Sequence, residues 1–327
     1  MLNALNSNSK FLVLGRAGMD LYADPAGSQV ETAARFVTAL GGSAGNIAAG
    51  LATHGIATSL LTCVSDDAVG RFVTSQLKHY GIDTRHVAVL KDESRTSLAV
   101  TETRIENTQN TLYRNNASDL QLSADHVENV PFDGFDALIL TGTALAVAPS
   151  RNASMLAVKR ARGAGALVVI DLDYRPYSWS SGPEAAETYR AAVEISDVIV
   201  GNDEEFGVVA GASFEDGRRY AATLGQGDKT VIYKMGERGS VTFQQGDAIT
   251  TGVFPVAALK PMGAGDAFMA SMMASLAAGH ALPDAVLRGS AAAAMVVSAI
   301  GCAPAMPTTS ELDAFIAENV AHHRVQA

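Results

Sequence analysis

Gly263-Ala264-Gly265-Asp266, followed at once by Phe268, Met269, Met272, Met273 and Leu276, reads as a glycine turn opening a buried helix. The apolar residues recur at helical spacing, so one face is committed to a core. At the helix start the unpaired backbone N–H groups and the positive end of the dipole favour an anion, and the missing Cβ atoms let a phosphate reach the main chain. Asp266 has two readings there. Either it caps the helix, or its carboxylate takes the proton of a hydroxyl that attacks a phosphate held by the same helix end.

Working outward, Ala264 to Ala278 and Pro283 to Ile300, the second stopped by Gly301, predict two late helices. A last amphipathic helix follows Pro307, with Thr309 as cap and Leu312, Phe315 and Ile316 on one face. Upstream, Phe11–Gly15, Thr58–Val64, Ala137–Leu140, Ala166–Ile170, Val198–Val200 and Val231–Tyr233 are near-continuous apolar runs, as parallel strands covered on both faces require. Helical stretches separate them: Ala44–His54, a segment capped by Asp66 or Asp67, one from Ser150, and Pro183–Ile195. The rhythm predicts an α/β fold with a mostly parallel sheet, its first strand feeding a loop that carries Asp20. Between His86 and Leu122 the pattern changes to alternation through Val87, Val89, Leu98, Val100 and Leu112. That stretch predicts a small antiparallel sheet standing off the main domain, a lid or else an edge hairpin.

The 327 residues are 48% apolar and only 18% charged, which supplies a large core and excludes disorder as the main state. A net charge of -10 repels nucleic acid and anionic membrane surfaces, so an anionic ligand has to be held by local donors. Cys63 and Cys302 stand alone, without disulfide-framework or zinc-ligand spacing. Reduced thiols, a polar N-terminus without a signal core, and no apolar run long enough for a bilayer lead us to expect a cytoplasmic protein.

Four more clusters lie at predicted strand ends, where open α/β sheets bind ligands. Gly41-Gly42-Ser43-Ala44-Gly45-Asn46 suits either a polyhydroxy ligand or a turn with a cap. Asp171-Leu172-Asp173-Tyr174-Arg175-Pro176 and Asn202-Asp203-Glu204-Glu205 bring acids and an arginine, or simple helix capping. Lys234-Met235-Gly236-Glu237-Arg238-Gly239 cradles phosphate or turns a hairpin. Gly-Lys occurs nowhere, which excludes a P-loop, and Gly15-Arg16-Ala17-Gly18 is not a dinucleotide fingerprint.

Taken in order, Asp20, Gly41-Gly42 with Asn46, Asn202 with Glu205, Lys234 with Gly236 and Gly239, and Gly263 to Asp266 resemble the ribokinase-like (PfkB-type) sugar kinases from about Phe11 to the last helix. The resemblance implies a single three-layer α/β domain over residues 1–327 with a β lid at about 86–122. It implies ATP as phosphoryl donor, Mg²⁺ held by Asn202 and Glu205, Asp266 as base, and an anion hole from the N–H groups of Ala264, Gly265 and Asp266 in the turn that Gly263 opens. Lys234, Gly236, Gly239, Ser290 and Asp173 are expected on the nucleotide, and Asp20, Gly42 and Asn46 on the sugar.

Within the family the likeness is to kinases of keto-deoxy sugar acids, 5-dehydro-2-deoxygluconate of myo-inositol catabolism ahead of 2-dehydro-3-deoxygluconate. It rests on Gly15 to Tyr22, Thr141-Gly142-Thr143, Asp171 to Pro176 and Tyr113-Arg114. Arg175 and Arg114 are then expected to grip a substrate carboxylate, with Arg16 a weaker third. Neutral-sugar kinases such as fructokinase share the same fold and mechanism, and a non-catalytic sugar or nucleotide sensor is the alternative of another class. Ser65, Ser290 and Lys260-Pro261-Met262 depart from the family pattern, the first and last at segments that bear on loop geometry and on a monovalent-cation site, so the resemblance leaves a monovalent cation open and implies no potassium activation either way. Pairing of two chains through the lid is common among the proteins it resembles.

Overall fold

The computed structural model describes residues 2–104, 106–211, 213–319 and 323. The chain opens with β1 (Lys10–Leu14), β2 (Gly18–Asp24) and β3 (Arg35–Gly41), then α1 (Ser43–Thr53), β4 (Ala57–Ser65) and α2 (Ala68–His79). Next come β5 (Val87–Leu90), β6 (Leu98–Thr101), β7 (Asn110–Tyr113) and the short α3 (Ala124–Glu128). The middle holds β8 (Ala137–Thr141), α4 (Ser150–Gly163), β9 (Leu167–Asp171), α5 (Gly182–Glu194), β10 (Val198–Asn202), α6 (Asp203–Ala210) and α7 (Phe214–Leu224). After β11 (Thr230–Lys234) a hairpin of β12 (Ser240–Gln244) and β13 (Asp247–Thr251) leads to α8 (Ala264–Ala277), α9 (Leu282–Val297) and α10 (Thr309–Asn319).

One sheet runs β13-β12-β11-β10-β9-β8-β1-β4-β5, parallel from β11 to β5 and antiparallel at the β12–β13 edge. Its inner strands are apolar throughout because both faces are covered. Phe11 and Val13 of β1 point into one helix layer with α1, α2, α8 and α9, while Leu12 and Leu14 point into the other with α3 to α7. Burying such a side chain contributes roughly 1.5–3 kcal/mol.

Helix α8 is buried from Ala267 to Ala277, on every side, because α1 and α9 flank it. Small residues set the spacing. A Cβ at Gly50 would lie 2.6 Å from the Ala270 Cβ, so α1 and α8 approach as closely as backbones allow. Gly50→Val would wedge the two helices apart and move their first turns relative to each other.

A second sheet, ordered β3-β2-β6-β7, stands against this layer as the lid. Its composition differs from the sequence expectation of 86–122. Only β6 and β7 come from that span, because β5 pairs with β4 at the edge of the main sheet, and β2 and β3 supply the rest. Asp20 therefore sits on a strand and not in a loop. On β2 the buried face carries Gly18 and Asp20 beside Tyr22, and β3 is exposed over its first four residues, so apolar periodicity gave no signal. The last helix is capped one residue earlier than expected, by Thr308, which accepts from the Glu311 N–H at 3.3 Å while Glu311 accepts from the Thr308 N–H at 2.8 Å. No described helix is long and apolar enough to cross a membrane.

Candidate active site

Strand β1 lies between β8 and β4, so the chain winds first to one side of it and then to the other. That is the switch point where an open sheet leaves a crevice at its carboxyl ends. The ends of β9, β10 and β11 bring Asp171, Asn202 and Lys234 to this side, and the first turns of α1 and α8 face each other across it.

Gly263 caps α8 at φ 86, a left-handed conformation that favours glycine, with its α-carbon hydrogen against Cys302: a Cβ there would come within 2.7 Å of Sγ. Ala264, Gly265 and Asp266 fill the first turn. The Asp266 carboxylate accepts from the Asn46 side-chain amide at 2.7 Å. Burial and the neighbouring Asp173 push its pKa up to about 7, against the Asn46 hydrogen bond. A carboxylate tuned to that value accepts a hydroxyl proton at neutral pH and releases it afterwards. Lys234 reaches the same turn, with its ammonium 3.4 Å from where a Cβ on Gly265 would stand. It also lies 3.9 Å from Asp171. The acids around it, Asp171 and Glu205 first among them, outweigh the cost of burial and hold its pKa up.

On the lid side, Asp20 is only 6% exposed, and burial raises its pKa. Its Oδ2 accepts from the Tyr22 hydroxyl at 3.0 Å. Room for this carboxylate depends on Gly41, where a Cβ would stand 1.9 Å from Asp20 Oδ1. Asp20 Oδ1, Asn46 Oδ1 and Thr143 Oγ1 are buried without a hydrogen-bond partner among the described residues. Each such atom costs about 1–3 kcal/mol, and all three lie on elements that open onto the crevice. Gly42 begins α1 beside them.

The expected carboxylate grips arrive already paired. Arg114, 7% exposed in its side chain, donates to Asp119 from Nε at 3.1 Å and Nη2 at 2.5 Å, and to the Thr143 carbonyl at 3.1 Å. Arg175 pairs with Asp173 at 2.6 Å and donates to the Tyr174 carbonyl, but 47% of its side chain remains exposed, so it keeps unspent donors. Arg16 donates to Ser97 at 3.1 Å, and its charge partly offsets the rise that burial gives the Asp20 pKa. Asp173, expected on the nucleotide, accepts from Ser43 in the first turn of α1.

On the other side of Lys234, Gly236 and Gly239 form a tight hairpin turn in which the Met235 N–H donates to the Gly239 carbonyl at 2.7 Å. Ser290 of α9 donates to the Gly252 carbonyl at 2.9 Å, and a Cβ on Gly239 would meet Gly252, so α9 and the turn line one wall. Asn202 and Glu205 lock each other in a capping box, and Glu205 also accepts from the Tyr174 N–H at 3.1 Å. Among the described residues no group of three or more His, Cys, Asp or Glu side chains is arranged to hold a metal ion.

Sequence reasoning passed over the Ser43–Asp173 contact, the partner of Arg114 and the Tyr22 support of Asp20. Of these only the last had a signal, since residues two apart on a strand share a face.

The sequence matches the pfkB family carbohydrate kinase profile over residues 8–309. It is 39% identical over 310 residues to the 5-dehydro-2-deoxygluconokinase of Photobacterium profundum, covering 93% of this chain and 94% of that one. To the 5-dehydro-2-deoxygluconokinase of Geobacillus kaustophilus it is 37% identical, covering 94% of each. Among solved structures, a double mutant of the Vibrio cholerae fructokinase, in a fructose, ADP and potassium ion bound form, superposes with a TM-score of 0.83. It is 25% identical, covering 95% of this chain and 99% of that one. A glycine-started helix with its carboxylate, a sheet crevice and a four-stranded lid thus coincide with full-length similarity, and the chain belongs to the pfkB family of carbohydrate kinases.

Proposed function

We propose that this carbohydrate kinase moves the γ-phosphoryl group of ATP to the primary hydroxyl of a keto-deoxy sugar acid, 5-dehydro-2-deoxygluconate. The observation that carries the reading is the Asp266 carboxylate, raised to about 7 and oriented by Asn46 at the mouth of a glycine-started helix. The substrate class is supported by relatives of that name at 34–39% identity over nearly the whole chain.

Hydroxyls of the sugar donate to the unpaired acceptors of Asp20 and Asn46, beside the backbone at Gly42. Arg175 meets the carboxylate with its free N–H groups, and Asp266 takes the hydroxyl proton as oxygen attacks phosphorus and the bond to the β-phosphate oxygen breaks. Backbone N–H groups of Ala264, Gly265 and Asp266 receive the charge that develops on the transferred phosphoryl, and Lys234 neutralises phosphate beside them. Gly236, Gly239 and Ser290 form the wall for the nucleoside. Mg²⁺ bound to the phosphates would spread the same charge. Its donor set here fits a largely hydrated ion with Asn202 and Glu205 acting through water, since both Glu205 oxygens already accept backbone N–H bonds.

A second reading, a neutral-sugar kinase, is favoured by one observation: Arg114 is closed on Asp119. The lid edges β3 and β7 carry exposed Phe36, Val37 and Tyr113, which supports pairing of two chains there, checked by light scattering. A panel of sugar acids and neutral sugars, read as ATP-dependent product formation, decides the substrate. Turnover of 5-dehydro-2-deoxygluconate above fructose supports the proposal, and the reverse order overturns it.

A further inference from the structure

Lys260 has no exposed surface and takes no part in the chemistry above. Its ammonium donates to the carbonyl oxygens of Met262 at 2.8 Å and Val296 at 3.1 Å, and to Cys302 Sγ at 3.8 Å. Three protons thus meet three acceptors. Burying an ammonium without a contacting carboxylate is costly, and burial draws its pKa down while Cys302, Asp266 and Asp20 oppose the shift.

The acceptors explain what the cost secures. Met262 immediately precedes Gly263, the cap of the anion-binding turn, and Val296 lies in the last turn of α9, where its carbonyl also accepts from the Ala299 N–H at 3.3 Å. The backbone N–H groups of Leu259 and Lys260 both donate to the Val297 carbonyl, at 2.7 and 3.1 Å. Cys302, the third acceptor, lies against Gly263 and 3.1 Å from the Tyr22 hydroxyl, which donates to Asp20. One cation therefore touches the segment in front of the phosphate turn, the helix behind it and the support of the sugar-side carboxylate.

We infer that Lys260 is a positioning residue whose ammonium does for the α8 turn what a carbonyl-bound monovalent cation does for a flexible loop: it gathers the Met262 and Val296 carbonyls and thereby aims the N–H groups of Ala264, Gly265 and Asp266. An ammonium and a potassium ion are similar in size and both accept carbonyl ligation in place of water. With its cation covalently attached, the chain has no vacancy here for a free ion.

The test is cation rescue. Wild-type protein should keep the same kcat and melting temperature when choline chloride replaces KCl at constant ionic strength. Lys260→Ala empties a cavity between two carbonyls. In choline chloride it should lose about tenfold or more in kcat, with a smaller change in the KM for ATP, and KCl or NH₄Cl should restore several-fold where LiCl does not. Its melting temperature should rise with KCl and not with LiCl, a readout that holds whichever sugar is the substrate. The activity arm uses 5-dehydro-2-deoxygluconate and rests on the proposed function; the melting arm does not. Lys260→Met, which fills the space, should lose kcat without rescue. Several-fold activation of the wild type by KCl would overturn the inference. So would wild-type kcat of either variant in choline chloride, or a folded Lys260→Ala that answers to no cation.

Discussion

The side-chain amide of Asn46 donates to Asp266 Oδ2 across 2.7 Å and ties the first turn of α1 to the first turn of α8. One helix starts where lid strand β3 ends and the other starts at the phosphate turn, so the bond joins the sugar side of the crevice to the base. It exists because Gly50 and Ala270 let the two helices nearly touch. It also fixes one carboxylate oxygen and leaves the other for a proton.

Asn46→Leu removes the one contact among the main causes of the Asp266 shift that is a hydrogen bond to the charged form. The base should then titrate above about 7, and the acidic limb of the kcat/KM profile should move to higher pH. Asn46→Asp, which adds a like charge, should move it further. An acidic limb that stays in place in both variants would separate Asp266 from that titration.

The same shift fixes a stability trend. An Asp266 pKa of about 7 in the native state stands above the ordinary value of 3.8, so between these limits the native state holds a proton that the unfolded chain has lost. Its contribution to stability falls as pH rises through that window. Asp266→Asn lacks this slope and should melt higher than wild type at about pH 8, with the gap narrowing towards about pH 4. Melting curves at both ends of the window check the sign.

Gly41→Ala places a Cβ 1.9 Å from where Asp20 Oδ1 now stands and forces the carboxylate aside. The KM for the sugar should rise about tenfold, the equivalent of ~1.4 kcal/mol, while ADP binding measured by calorimetry stays unchanged. Equal losses on both ligands would show a general disturbance of the lid instead.

Arg175 and Arg114 should part company. Arg175→Ala removes a half-exposed grip and should weaken sugar acids far more than fructose, while Asp173 keeps its hydrogen bond from Ser43. Arg114→Ala leaves Asp119 buried and unpaired, a loss of roughly 3–5 kcal/mol, and should lower the melting temperature for any substrate. A stable Arg114→Ala with selective loss on acids would make Arg114 the carboxylate receptor.

The main sheet was legible because parallel strands covered on both faces leave unbroken apolar runs such as Leu138–Leu140, and α8 because Phe268, Met269, Met272 and Met273 follow glycines. Half of the lid was not, since Arg35–Thr38 is exposed on both faces and the adjacent Phe36 and Val37 carry no alternation there. Ion pairing was equally hidden. Arg114 meets Asp119 only because the chain turns back over Ser118–Gln121, and no spacing rule for an irregular segment reports that. Lys260 reads in sequence as a departure in a loop, whereas its burial follows from α9 ending behind it.

Asp266→Asn, assayed with ATP and 5-dehydro-2-deoxygluconate alongside calorimetric ADP binding, tests the central claim most directly. Loss of the proton acceptor should lower kcat by about 10²-fold or more and leave nucleotide affinity nearly unchanged. Turnover close to wild type in a correctly folded variant would contradict the account.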